Sequence, residues 1–163
     1  MTLFGTDGIR GRYGESPLND SSIRKIGLAI SRSFNDNSIK KVYIAHDGRE
    51  SCELILRNLI MGICSDRSYE IIYLDLFPTP ALTYLLSEND LSDAIGIEIT
   101  ASHNPYHDNG LKLFGPDGMK LSNNIEKKIE KLIDAKNTKQ LTDPKLLGRV
   151  KRLEDGNEKY IKI

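Results

Sequence analysis

The chain has 163 residues, of which 39% are hydrophobic, and this length and composition are typical of one globular domain. Lys plus Arg and Asp plus Glu number 23 each, so no net charge directs the chain to nucleic acid or an acidic membrane. We find neither an apolar run long enough to span a bilayer nor the regions of a signal peptide at the N-terminus. Cys52 and Cys64 are predicted to be buried free thiols. These features favour the cytoplasm and exclude nucleic-acid and membrane partners.

Apolar patterns and turn signals predict alternating helices and strands along most of the chain. Strand–helix alternation three times over indicates an α/β domain, in which crossover helices pack on a sheet. We expect a three-layer α/β/α sandwich with a mixed, mainly parallel sheet of about four strands. The predicted elements are a helix from Asn19 or Asp20 to Phe34, a strand 41–45, a helix 51–64, a strand 69–76, a helix 80–88 capped by Thr79, strands 95–99 and 111–114 in antiparallel pairing, and a helix 123–135.

Two features define the end of this predicted domain. Asn123 and Glu126 have the spacing of a capping box, which predicts the start of the last helix. Residues 136–148 are polar, contain Pro144 and Gly148, and are interpreted as a linker.

Two polar segments have the composition of anion-binding loops. Residues 4–12 contain three evenly spaced glycines, and such a segment either brings backbone N–H groups to an anion or forms a flexible arm. Residues 46–49 follow a predicted strand and precede a helix, an arrangement that favours anion binding because unpaired N–H groups face the loop. His46 is interpreted as a structural residue at the strand end.

The stretch from Glu98 to Lys112 is the most distinctive. A short apolar strand ends in Thr-Ala-Ser-His-Asn-Pro, where Pro105 cannot continue the strand because it has no N–H. Residues 108–110, Asp-Asn-Gly, are interpreted as a turn before the next strand. Ser102 is thus displayed at a strand end, where an activated hydroxyl can act as a nucleophile. From spacing alone, a hairpin-like loop with polar tips is the alternative.

Two motifs together resemble a known family. Residues 100–105 and the following Asp108–Lys112 are similar to the phosphoserine loop of the α-D-phosphohexomutases, which comprise phosphoglucomutases, phosphomannomutases and phosphoglucosamine mutases. Phe4–Gly11 is similar to the N-terminal motif of that family, in the wording found in its phosphoglucosamine mutase branch. The resemblance covers the whole chain but only the first of four family domains. It implies that residues 1–148 form domain I and that residues 149–163 are a linker or the start of a second domain.

The resemblance implies a mutase acting on hexosamine or hexose phosphates. Ser102 would carry a phosphoryl group and exchange it with the sugar through a bisphosphate intermediate. Mg²⁺ would bind the phosphate on Ser102, with its other ligands in a missing domain. Chain 1–163 alone is expected to be inactive and to self-associate. The implied site residues are Ser102, His103, Lys112 and Arg10 for catalysis, and Arg49, Gly8 and Asn104 for phosphate binding, with Asn104 also bracing the turn before Pro105.

Two positions depart from the family pattern. The family usually has Asp-Thr-Arg where this chain has Asp47-Gly48-Arg49, so one hydroxyl is missing from that loop. Glu98 occupies a strand position where the family generally has an apolar residue, and a buried carboxylate without a partner stays protonated.

Three functions are weighed against each other. A phosphohexomutase is favoured, with glucosamine phosphate as its substrate ahead of glucose or mannose phosphate. An isolated, non-catalytic anion-binding module is the second interpretation. A serine hydrolase ranks last, because Ser102 does not lie in a Gly-x-Ser-x-Gly elbow.

Overall fold

The computed structural model describes residues 3–34, 38–88, 91–134, 149–153 and 158. These residues form six strands and four helices. The strands are β1 (Ile9–Arg12), β2 (Lys41–His46), β3 (Glu70–Leu76), β4 (Ala94–Ile99), β5 (Asp108–Phe114) and β6 (Arg149–Arg152). The helices are α1 (Asp20–Ser33), α2 (Cys52–Ile63), α3 (Thr79–Glu88) and α4 (Asn123–Asp134).

The strands form one sheet in the order β1-β5-β4-β2-β3-β6. β2 pairs in parallel with β3 and β4, and β3 pairs in parallel with β6. β5 pairs antiparallel with both β4 and β1. The predicted mixed, mainly parallel sheet is therefore confirmed, although six strands are described where about four were expected. The two additional strands, β1 and β6, lie at its edges.

Helices cover both faces of the sheet, as predicted. On one face α1, α2 and α4 enclose the larger apolar core. On the other face α3 packs against a smaller cluster that includes Ala45, Leu74 and Phe114. Strand alternation separates the two sets, since Ile95, Ile97 and Ile99 of β4 all belong to the larger core.

The start of α3 and the cap of α4 differ from the sequence prediction. The Asn19 side chain accepts a hydrogen bond from Ser22 N at 2.9 Å, so the predicted cap of α1 is confirmed. The predicted capping box of α4 is wrong, because Asn123 is already helical and the carbonyl of Ser122 accepts from the N–H groups of Ile125 and Glu126. α3 begins at Thr79, one residue before Pro80.

Three further expectations concern single segments. Residues 108–110 are not a turn but the start of β5, so that prediction is wrong. Both cysteines are free thiols, Cys52 buried and Cys64 half-buried. The expected linker, residues 136–148, lies outside the described residues. Among the residues that are described, none of the helices combines the length and apolar character needed to cross a bilayer.

Candidate active site

The loop after β4 presents Ser102 in a conformation that non-glycine residues rarely adopt. Its φ is +56°, in the left-handed region, and the residue is exposed. The N–H of Ser102 donates to Thr100 Oγ1 at 2.8 Å. Such backbone conformations cost about 1–3 kcal/mol and persist only where surrounding contacts impose them. The contacts around Ser102 therefore decide how its hydroxyl is displayed.

Arg49 supplies those contacts. Its guanidinium donates to the carbonyl oxygen of Ser102 at 2.7 Å and to three more carbonyls of the same loop, those of Asn104, Pro105 and Asp108. Its Nε donates to Asp47 Oδ2 at 2.8 Å, and the side chain is only 10% exposed. The phosphate-binding role of Arg49 stays a prediction, and the structure adds that its N–H groups are directed at the serine loop. The planar guanidinium, with its five donors, can reach several carbonyls at once.

Asp47 joins this clamp to the end of β4. Its Oδ2 accepts a hydrogen bond from Thr100 Oγ1 at 2.6 Å as well as from Arg49. Burial alone would raise the pKa of Asp47, but the hydrogen bonds from Thr100 and Arg49 outweigh it and lower that pKa below its ordinary value. Asp47 is therefore an ionised counter-charge for Arg49 at neutral pH.

A buried amide supports the other side of the loop. Asn109 is 0% exposed, and its Nδ2 donates to Ser51 Oγ at 2.9 Å and contacts Cys52 Sγ at 3.6 Å. These bonds tie the start of β5 to the first turn of α2. Burial raises the pKa of the Cys52 thiol, so this cysteine is held as an unreactive thiol beneath the loop. The sequence reasoning missed Asn109 because Asp-Asn-Gly also has the composition of a turn.

Arg10 and Lys112 lie on one face of the sheet beside the loop. Arg10 pairs with Gly110 across β1 and β5, and Lys112 is two residues further along β5, so all three positions share a face. Arg10 Nη1 is buried and has no hydrogen-bond partner among the described residues, and Nη2 lies 3.9 Å from Asp7. The structure thus leaves a buried donor of Arg10 unpaired on the face that carries Lys112.

Two glycines allow β1 to lie close to β5. Gly8 has a φ of +92°, and a Cβ at that position would overlap the carbonyl of Leu111. A Cβ at Gly110 would lie 2.8 Å from the carbonyl oxygen of Thr100 and 2.9 Å from Arg10 Cδ. Gly8, predicted to bind phosphate, therefore has a packing role that positions Arg10. Residues 9–12 of the glycine-rich segment form an edge strand and not a flexible arm, and the anion-binding alternative stays a prediction.

The tip of the loop is polar and open to solvent. His103 is exposed, and Tyr106 is 80% exposed. Asn104 Nδ2 donates to Asp108 Oδ2 at 3.1 Å, so this side chain braces the loop across the turn at Pro105. Within this tip, His103 is the residue that directly follows Ser102 in sequence.

The oxygen atoms near Ser102 do not by themselves form a site for Mg²⁺. Magnesium prefers an octahedral shell of oxygen ligands. The oxygens of Asp47 already accept from Thr100, Arg49 and the thiol of Cys52, so they are not open to an ion. What this part of the chain offers is the Ser102 hydroxyl, which would have to bear a phosphate to supply a ligand oxygen. A magnesium ion at Ser102 would therefore need further ligands from outside this part of the chain.

A second group, away from the loop, has the spacing of metal ligands: His46, Glu53 and Asp75. His46 Nδ1 accepts from the N–H of Gly48 at 3.0 Å, so in the neutral ring Nε2 carries the hydrogen. The Tyr73 hydroxyl lies 2.8 Å from His46 Nε2, 2.7 Å from Glu53 Oε1 and 3.3 Å from Asp75 Oδ1. Burial and the hydrogen bond to Glu53 raise the pKa of Tyr73. A hydrogen-bonded tyrosine therefore fills the centre of this group, which does not fit Mg²⁺.

Two solved structures have this fold. A phosphoglucomutase/phosphomannomutase family protein from Burkholderia thailandensis has a TM-score of 0.74 and 22% identity, over 97% of this chain and 34% of its own. A putative phosphomannomutase from Thermus thermophilus has a TM-score of 0.71 and 24% identity, over 95% of this chain and 34% of its own. The fold and the serine loop thus place the chain in the class of α/β/α domains that these structures contain.

The sequence comparisons define the family. The family model described as phosphoglucomutase/phosphomannomutase, alpha/beta/alpha domain I, matches residues 1–140, and the chain belongs to this family. Phosphoglucosamine mutases from Pelagibacter ubique and a Chelativorans species are 51% and 41% identical to it over 98% of the chain. The chain spans 36% and 35% of those two relatives, about a third of their length.

Proposed function

We propose that this chain is the serine-bearing domain of a phosphoglucosamine mutase, which interconverts glucosamine 6-phosphate and glucosamine 1-phosphate. The observation that carries the proposal is the display of Ser102, exposed and in a left-handed conformation, on a loop clamped by Arg49. The substrate class rests on the relatives named phosphoglucosamine mutase, which match nearly all of the chain.

The reaction follows from a phosphoryl group carried on Ser102 Oγ. The bond between phosphorus and Oγ breaks while phosphorus bonds to a sugar hydroxyl oxygen. The hydroxyl proton passes to a nearby base, and the freed Ser102 Oγ takes up a proton from an acid. The resulting bisphosphate returns its other phosphoryl group to Ser102, so the phosphate count is unchanged. The exposed ring of His103 and the amine of Lys112 are the groups assigned to proton transfer.

The charge on the transferred group must be neutralised, because phosphoryl transfer depends on positioning and electrostatic stabilisation. The unpaired donor of Arg10 and the ammonium of Lys112, on one face of the sheet, supply positive charge from this chain. Mg²⁺ bound through the phosphate of Ser102 would add further neutralisation. Residues 1–163 alone lack the remaining contacts and are proposed to be inactive.

A chimera tests the proposal. Residues 1–163 replace the matching segment of the Pelagibacter ubique relative, and turnover of glucosamine 6-phosphate, glucose 1-phosphate and mannose 1-phosphate is compared. We expect an active chimera that prefers the glucosamine substrate, with phosphate mapped to Ser102 by mass spectrometry. Ser102→Ala should remove nearly all turnover, because the covalent step is lost. Ser21→Ala, at an exposed serine of α1, is the matched control and should remain active. Turnover by the Ser102→Ala chimera, or phosphate on another serine, contradicts the proposal.

We also propose that the isolated chain self-associates through β6. The four residues of β6 are exposed at an edge of the described sheet, and Val150 is 54% exposed. An open strand edge presents backbone N–H and C=O groups that a second copy of the same chain can pair with.

A further inference from the structure

Glu98 is a buried carboxyl group in the middle of β4. It is 1% exposed, and neither of its oxygens has a hydrogen-bond partner among the described residues. On β2 it aligns with Ala45 and on β5 with Lys112, so these three side chains project from the same face of the sheet. That face is the one that carries Arg10. Glu98 is therefore the direct cross-strand neighbour of Lys112.

Few charged groups surround this carboxyl. α3 covers the neighbouring position with apolar groups, since a Cβ at Gly96 would meet Leu82 and Leu86. The charges that act on Glu98 are the carboxylate of Asp47 from the loop after β2 and the ammonium of Lys112 from β5. Burial and the repulsion from Asp47 raise the pKa of Glu98 to about 8, against the attraction of Lys112. At neutral pH the group is mainly a neutral carboxylic acid.

We propose that Glu98 is a positioning residue that acts through Lys112 and sets the affinity of the site for a phosphoryl group. While Glu98 is uncharged, the full charge of Lys112 is available to an anion beside Ser102. When Glu98 ionises, its carboxylate attracts the Lys112 ammonium and repels the anion, so binding weakens. This inference rests on the proposed function for the identity of the anion, but the anion site itself can be tested without turnover.

Sulfate is a suitable probe because, unlike phosphate, it does not change its charge near neutral pH. Sulfate affinity of chain 1–163 is measured by NMR titration at several values between about pH 6.5 and pH 9, a range in which a glutamate of ordinary pKa stays ionised. In the wild-type chain we expect the affinity to fall as pH rises, by on the order of tenfold across the ionisation of Glu98. The Lys112 amide should show the largest chemical-shift change on binding.

Two substitutions isolate the contribution of Glu98. Glu98→Gln keeps the shape of the side chain and cannot ionise. The sulfate affinity of this variant should therefore no longer fall as pH rises. Glu98→Met, an apolar side chain of similar length, should give the same flat profile and guards against a folding defect in the first variant. Glu50→Gln removes an exposed carboxylate next to Arg49 and is the matched control. Its pH profile should parallel that of the wild type, because Glu98 is unchanged in this variant.

Every variant keeps the histidines of the loop, so a difference between the variants and the wild type does not come from these residues. A fall in affinity that persists unchanged in both Glu98 variants overturns the proposal. A wild-type chain that does not bind sulfate overturns it as well. Failure of the proposed function can be distinguished from failure of this inference. In the first case the chimera carries no phosphate on Ser102, while the sulfate affinity of chain 1–163 still depends on Glu98.

Discussion

Replacement of Arg49 by lysine tests whether Arg49 stabilises the serine loop through its hydrogen bonds or acts only through its positive charge. Arg49→Lys keeps the positive charge but loses the planar fork that reaches the carbonyls of Ser102 and Asp108 together. Hydrogen bonds to charged groups contribute about 1.5–3 kcal/mol each. Four such bonds join Arg49 to loop carbonyls, and a lysine ammonium has fewer donors on a single nitrogen. The loss of about two of them should loosen the loop locally by roughly 3 kcal/mol.

Amide hydrogen exchange measures this loosening directly. A local loss of roughly 3 kcal/mol corresponds to exchange about 100-fold faster at the amides of Ser102, Asn104 and Asp108, which are hydrogen-bonded within the loop. Arg32→Lys is the matched control, since Arg32 forms an ion pair at 2.9 Å with Asp66, a residue outside the serine loop. The control should leave loop exchange unchanged. The clamp is refuted if Arg49→Lys exchanges at the wild-type rate in the loop.

Four further outcomes are expected. Because the folded-state pKa of Glu98 is raised to about 8, stability due to this group is lost as pH rises, and the advantage of Glu98→Gln in urea denaturation should grow by about 2–3 kcal/mol from pH 5 to pH 7. Asn109→Ala should cost about 1–3 kcal/mol in the same assay, because it removes a buried hydrogen bond to Ser51. Ser102→Gly should be more stable than Ser102→Ala by about 1 kcal/mol, because glycine tolerates the positive φ. Light scattering after size-exclusion chromatography should show association of chain 1–163 that increases with concentration.

Each of these expectations has its own contrary result. A Glu98→Gln advantage that does not change with pH would show that the carboxyl is ionised in the folded chain. An Asn109→Ala chain as stable as wild type would mean that its buried amide contributes no net stability. Equal stability of the two Ser102 variants would remove the argument for backbone strain. A mass that stays monomeric at high concentration contradicts self-association through β6.

The central elements could be predicted because their sequences carry clear periodicity. The apolar runs of β2, β3 and β4 and the apolar stripes of α1 and α2 place buried residues where the structure has them. The edge strands could not be found in this way. β1 is Ile-Arg-Gly-Arg and β6 is Arg-Val-Lys-Arg, and neither contains enough apolar residues to show an alternation. Their pairing depends on a neighbouring strand that sequence patterns do not identify.

The candidate site shows the same division. The motif resemblance selected Ser102 and Arg10, and the structure gives the first an unusual backbone and the second an unpaired donor. The contacts of Arg49 with the loop carbonyls could not be predicted, because they join residues that are far apart in sequence. Asn109 and Glu98 were not selected, because their partners, Ser51 and Lys112, belong to other elements of the fold. Such long-range contacts are absent from local sequence patterns.

The Arg49 clamp also bears on the order in which the molecule folds. Arg49 lies 53 to 59 residues before the carbonyls that it binds. A contact of that sequence separation closes a long chain loop, and its entropic cost is met only after intervening elements have assembled. The serine loop therefore cannot take its shape as a free peptide or in a nascent chain that ends before Asp108. The backbone geometry of Ser102 is therefore a late product of folding, and a partly folded chain would expose this serine without the contacts that fix the loop.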